Sequence, residues 1–154
     1  MIRRAQARDL DRVKHLLDQV DMVHHIGRPD IFKIGRKYTD PQLLCIFEDD
    51  NRPVFVSEDV AGVVQGYCFC IIEESAGDNV IVDHKTLYID DLCVDETCRG
   101  QHIGRSLYEY AVRYARGIGC YNVTLNVWEC NPDARAFYDS LGMRPMKTYM
   151  EEIL

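Results

Sequence analysis

The sequence has no apolar run long enough to cross a bilayer, no Cys-x-x-Cys pair, no Gly-Lys-Ser/Thr and no excess of positive charge. The first absence argues against a membrane-spanning helix, which needs roughly 20 consecutive apolar residues. The second turns the seven cysteines (Cys45, Cys68, Cys70, Cys93, Cys98, Cys120 and Cys130) away from metal or redox roles and towards reduced, mostly buried thiols. The third removes a Walker-type nucleotide site. A formal charge of −7 disfavours nonspecific nucleic-acid binding, which is driven by cationic side chains releasing counterions, and it favours a small cationic partner. Glycine (10) and proline (5) are also sparse, and 47 % apolar residues over 154 positions point to a single domain spanning 1–154. The opening Met1-Ile2-Arg3-Arg4-Ala5 leads into a polar helix instead of a signal-peptide core, so a cytoplasmic protein with neither membrane nor nucleic acid as partner is expected.

Periodicity sets out strands over Ile2–Ala5, Val54–Ser57, Val63–Glu73, Leu87–Val94, Asn122–Val127 and Met146–Ile153. Helical spacing of Leu10, Val13, Leu16, Leu17 and Val20 predicts a first amphipathic helix, followed by a loop-rich stretch from Asp21 to Tyr38 and a helical turn opened by Asp40-Pro41. Further helices are expected over Gly104–Gly117 and Pro132–Leu141. Strands interspersed with helices give an α/β (α+β) class with a mixed sheet covered by helices.

Two segments carry chemistry. Arg99-Gly100-Gln101-His102-Ile103-Gly104 joins a strand to a helix whose Ile103, Leu107, Tyr110, Ala111 and Tyr114 recur at spacings of three and four. The unpaired N–H groups and partial positive charge of that helix start, with Arg99 beside them, suit a pyrophosphate; a tight turn with an exposed arginine would look the same. Glycines at positions 100 and 104 let backbone approach an anion without a Cβ in the way. Further on, Asn131 can cap a helix that Pro132 begins and Gly142 ends, with Ala134, Phe137, Tyr138 and Leu141 on one face. Tyr138 there is either a reactive phenol or a core aromatic with its hydroxyl at the edge.

Together, and in this order, the two segments resemble the signatures of the GCN5-related N-acetyltransferase superfamily, Gln/Arg-x-x-Gly-x-Gly/Ala and Asn-x-x-Ala-x-x-Phe-Tyr. The resemblance implies a mostly antiparallel sheet flanked by helices, with a strand splay at the cofactor site and acetyl-coenzyme A as acetyl donor. It implies that Leu92, Cys93 and Val94 offer backbone groups to the pantetheine arm. Arg99, Gly100, Gln101, His102, Ile103, Gly104, Arg105 and Ser106 would wrap the pyrophosphate, and Asn131, Ala134 and Phe137 would line the other side. The first loop glycine of the family is His102 here.

By the same resemblance Tyr138 is the acid that protonates the coenzyme A sulfur, and a backbone N–H near Leu92 or Cys93, at a bulge, polarises the carbonyl. Leu87-Tyr88-Ile89-Asp90-Asp91-Leu92-Cys93-Val94 looks like the segment of diamine and polyamine acetyltransferases in which an acidic pair binds ammonium groups. Asp90 is then the first candidate base and Asp91 the second, and strict alternation places the two on opposite faces. Glu129 is a reserve. His24, His25, Arg28 and Asp30 are candidates for acceptor selection, Trp128 and Tyr121 for acceptor contact or an oligomer surface, and His15 and His84 are read as surface. The expected reaction is transfer to a primary, small cationic amine by direct attack in a ternary complex, in a protein that dimerises in the manner of similar ones. Acetylation of a protein or peptide, and a noncatalytic acyl-coenzyme A binding module, are the rival readings.

Overall fold

The computed structural model describes all 154 residues. Its strands are β1 (Ile2–Arg4), β2 (Val54–Glu58), β3 (Val64–Ser75), β4 (His84–Val94) and β5 (Asn122–Leu125), and its helices α1 (Leu10–Gly27), α2 (Asp40–Glu48), α3 (Ile103–Gly117) and α4 (Pro132–Ser140). The five strands follow chain order in one sheet, antiparallel from β1 to β4 and parallel between β4 and β5. This is the mixed, mostly antiparallel sheet expected from the pattern. The α3 crossover is what allows the last pair to run parallel, since a short turn cannot return the chain in the same direction.

Each face of the sheet is covered. Val13, Leu16 and Leu17 of α1 and Leu43, Ile46 and Phe47 of α2 bury themselves against Val54, Val56, Tyr67, Phe69 and Cys93. On the other face Leu107, Ala111 and Ala115 of α3 pack on Phe55, Cys68, Cys70, Leu87 and Ile89. Alternate strand residues therefore serve opposite layers, as the pleat requires.

Three expectations are corrected. The first helix runs on to Gly27 and absorbs His24 and His25, because Met22-Val23-His24-His25 contains no helix breaker. An ideal Cβ on Gly27 would lie 2.7 Å from Cys130 Sγ, so the helix end packs on the β5–α4 connection in a place only glycine fits. The strand predicted over Asn122–Val127 stops at Leu125, where its partner veers away. The strand expected over Met146–Ile153 does not form: the segment has no regular structure, and Met146, Tyr149, Met150 and Ile153 are exposed. Strand periodicity describes side chains, whereas a strand exists only where another edge accepts its backbone bonds.

Candidate active site

The site follows from the way β4 outruns β5. The parallel pairing covers Thr86 to Ile89 against Asn122 to Leu125, and β4 then continues alone to Val94. One edge of Asp90–Val94 is thus open. The phase of that edge is fixed by Asp95 N–H, which donates to the Gln65 carbonyl at 2.8 Å. Counting back by twos, Cys93 and Asp91 turn their backbone groups to β3, while Leu92 and Val94 turn theirs to the gap. Of the three backbone contributors expected from sequence, Leu92 and Val94 are placed to serve a ligand and Cys93 is not. The Cys93 thiol is committed as well, lying 3.5 Å from the Leu16 carbonyl, and burial pushes its pKa up to about 12.

A bulge sits at the mouth of the gap. Phe69 pairs with Asp91 and Cys70 with Ile89, which leaves Asp90 as the extra residue on β4. The bulge breaks the alternation assumed from sequence, so the two carboxylates do not lie on opposite faces. Asp91 accepts from the Tyr67 hydroxyl at 2.7 Å, and Asp90 accepts from the Tyr38 hydroxyl at 3.0 Å and from Lys37 Nζ at 2.8 Å. Tyr67 and Tyr38 both belong to the α1 side of the sheet. Their environments differ. Burial raises the Asp91 pKa to about 6, against which the Tyr67 hydrogen bond and the more distant Lys37 charge act only in part. Asp91 is therefore a carboxylate that exchanges protons near neutrality, and Asp90 is the counterion of a lysine.

Across the gap is the head of α3. Ser106 N–H is the first to bond within the helix, to the His102 carbonyl at 3.0 Å, so those of Ile103, Gly104 and Arg105 are left free. Gly100 has φ +79° with open space where a Cβ would be, and Arg99 and Arg105 stand exposed beside it. A diphosphate fits these donors and charges without any rearrangement. Two details differ from expectation. The missing Cβ of Gly104 faces Phe137, whose Cζ would be 3.3 Å away, so this glycine seats α4 against α3 and does not clear room for phosphate. The Ser106 hydroxyl bonds back to the His102 carbonyl at 3.1 Å.

His102 is the sole non-glycine residue with positive φ, at +61°, and it is exposed. Left-handed backbone costs a residue with a Cβ about 1 kcal/mol, although histidine tolerates it better than most. His102→Gly is accordingly expected to raise the melting temperature by ~2–4 °C for a domain of this size. Calorimetric melting checks this, and an unchanged or lower midpoint would mean that the imidazole makes up for its backbone strain.

Helix α4 brings the remaining pieces. The Asn131 carbonyl oxygen caps it by accepting from Ala134 N–H at 3.1 Å, and Pro132 occupies its first turn, as the sequence suggested. Phe137 then locks onto Gly104, and Tyr138, the next residue, points back towards the sheet. Burial holds the Tyr138 pKa well above the usual phenol range, with Cys68 and Asp91 the nearest charges reinforcing it. Its hydroxyl has no partner within the chain, and no buried side-chain oxygen or nitrogen is left unpaired, so the oxygen opens to the cleft.

Around the mouth, His24 stacks on Phe32 at 5.0 Å and Phe32 meets Trp128 edge-on at 5.1 Å. His25 Nδ1 lies 2.7 Å from the Phe32 carbonyl. Arg28 is paired with Asp30 and with Glu151 of the C-terminal segment. These side chains brace the loop after α1 across the cleft entrance. Glu129 and Tyr121 are exposed, His15 sits beside Gln19, and His84 packs against Tyr121, all outside the cleft. Lys37 and Tyr38 were missed by sequence reasoning. They fall in an irregular stretch, and only the distant bulge at Asp90 gives them a partner.

Comparison with known proteins bears on the same region. The model of the acetyltransferase (GNAT) family matches residues 20–143. A glucosamine 6-phosphate N-acetyltransferase of Arabidopsis thaliana is 27% identical over 112 residues, which is 73% of this chain and 65% of that protein, just under two thirds of its length. A mutant of the BH1408 protein from Bacillus halodurans superposes with a TM-score of 0.96 at 33% identity, over 100% of this chain and 99% of that one. The aminoglycoside N-acetyltransferase AAC(6′)-Iy, solved in complex with CoA, shares the fold with a TM-score of 0.72 at 15% identity, over 100% of this chain and 98% of that one.

Proposed function

Since the chain belongs to the acetyltransferase (GNAT) family, we propose that it transfers the acetyl group of acetyl-coenzyme A to a primary amine of a small molecule, by direct attack in a ternary complex. The observation that carries this reading is the convergence on the β4–β5 gap of Asp91, which titrates near pH 6, and the unbonded Tyr138 hydroxyl. Bound coenzyme would supply a thioester carbonyl that an amine can attack. The chain supplies the rest. Ile103, Gly104 and Arg105 N–H groups with Arg99 hold the diphosphate, and Leu92 N–H and Val94 carbonyl align the arm along the open edge. Leu92 N–H also meets the negative charge that develops on the carbonyl oxygen. Asp91 draws a proton from the entering ammonium, directly or through water, and Tyr138 delivers one to the departing sulfur. Between the two carboxylates Asp91 is preferred as base, because Asp90 is held by Lys37 and Tyr38.

Acetyl-coenzyme A at 100 times its dissociation constant should stabilise the protein by about 2.7 kcal/mol. The expected result is a clear rise in melting temperature with acetyl-coenzyme A and none with free adenine. No shift at millimolar coenzyme would remove the donor assignment. Release of free thiol across a panel of amino sugars, aminoglycosides, monoamines, diamines and peptides then identifies the acceptor. Activity confined to peptides would overturn the small-molecule reading.

A further inference from the structure

Resting on the acetyltransferase reading, we infer that the Lys37–Asp90 ion pair is a built-in charge filter that keeps a second ammonium group out of the acceptor site, and that Lys37 thereby selects acceptors with one positive charge. An acidic pair at a cleft mouth would by itself attract dications. Here one member is already answered from within. Lys37 Nζ and the Tyr38 hydroxyl both reach the same oxygen of Asp90, at 2.8 and 3.0 Å. The bulge sets that carboxylate on the same side of the sheet as Asp91, one residue away.

The lysine is not a loose surface chain that happens to meet an acid. Its backbone N–H donates to Asp21 at 2.9 Å, and its neighbour Arg36 is clamped to Asp18 by two bonds of 2.9 Å. Tyr38 stacks on Phe69 at 5.9 Å, and the Lys37 ammonium stands 5.3 Å over the Tyr38 ring. Thus residues 36–38 form a strap fastened to α1 at one end and to the core at the other, with the ammonium as its free tip. Partial burial works against the Lys37 charge, but Asp90 outweighs it and the amine stays protonated at neutral pH. It is a counterion, then, and a poor nucleophile.

A second ammonium on the acceptor could reach Asp90 only by expelling Lys37 from a charge-assisted hydrogen bond, an exchange expected to weaken its binding by about tenfold or more. Removing the lysine head should free Asp90 for that ammonium, whereas an acceptor with one amine, engaged at Asp91, gains no such partner.

The test is calorimetric titration of cadaverine and n-pentylamine, with and without coenzyme A, into the full chain and into Lys37→Met, which keeps the aliphatic stem over Tyr38. The affinity ratio of cadaverine to pentylamine should rise at least tenfold in Lys37→Met and stay at the wild-type value in Lys37→Arg. Asp90→Asn added to Lys37→Met should cancel the gain. A ratio within twofold of wild type in Lys37→Met, or no cadaverine binding to it at all, overturns the filter. Since the readout is binding, failure of every amine to release thiol would count against the proposed reaction and leave this result standing.

Discussion

Replacing Tyr138 by phenylalanine should lower kcat by about 10²-fold or more while leaving coenzyme A affinity and melting temperature close to wild type. A positioned general acid contributes on the order of 10²–10⁴, and only the hydroxyl is lost, since Phe137 and the Asn131 cap hold α4 in place. The hydroxyl has no partner within the chain, so its removal breaks no internal bond. The phenol pKa is raised by burial first and by neighbouring Cys68 and Asp91 next, so Tyr138 keeps its proton well into alkaline pH. Wild-type kcat should therefore show no descending limb from this group in the ordinary tyrosine range. Steady-state turnover across pH 6–10 is the check, and a variant within threefold of wild type throughout would remove Tyr138 from the chemistry.

Asp91→Asn is expected to move activity and stability in opposite directions. Wild-type kcat/KM should climb through a pKa of about 6 as Asp91 loses its proton and becomes able to accept one; the variant should lack that limb and fall by roughly 10²-fold at neutral pH. For stability, the folded pKa lies above the unfolded one, so the native state binds the proton more tightly. Ionising Asp91 then costs folding free energy that grows as pH rises from about 4 to about 6 and is fully present above that. A rise from 3.8 to about 6 corresponds to roughly 3 kcal/mol at most. Asparagine carries no charge to desolvate and can still accept from Tyr67, so the variant should melt higher than wild type at pH 8 and show little difference at pH 4. A variant that is both inactive and less stable at pH 8 would make Asp91 a structural group. Gain of stability with loss of function is the mark of a residue kept for its chemistry.

Much of this arrangement can be read from the chain. The head of α3, the Asn131 cap, the Pro132 start and the order of the strands follow from local rules of capping and periodicity that tertiary contacts did not override. What was not legible depends on pairing. Alternation assigns Asp90 and Asp91 to opposite faces only if the ladder is unbroken, and whether it is unbroken is a joint property of β3 and β4. The role of Gly104 is hidden for a similar reason: a glycine that admits an anion and one that admits Phe137 look alike until the second helix is in place. Lys37 carries no signal within its own irregular segment, because its partner lies 53 positions away. The failed strand over Met146–Ile153 completes the set, with the right side chains and no edge to join.

The extra residue at Asp90 makes the tip of β4 unequally tolerant of different genetic changes. Substitutions there alter one side chain at a time. Loss of a single codon at Asp90 would restore strict alternation and invert everything downstream, carrying the side chains of Asp91 and Cys93 towards α3, and those of Leu92 and Val94 towards α1. The Leu92 N–H would turn into the β3 ladder in the same step. The length of this one segment is thus under tighter constraint than its composition, and insertions or deletions within β4 should be purged where point changes survive.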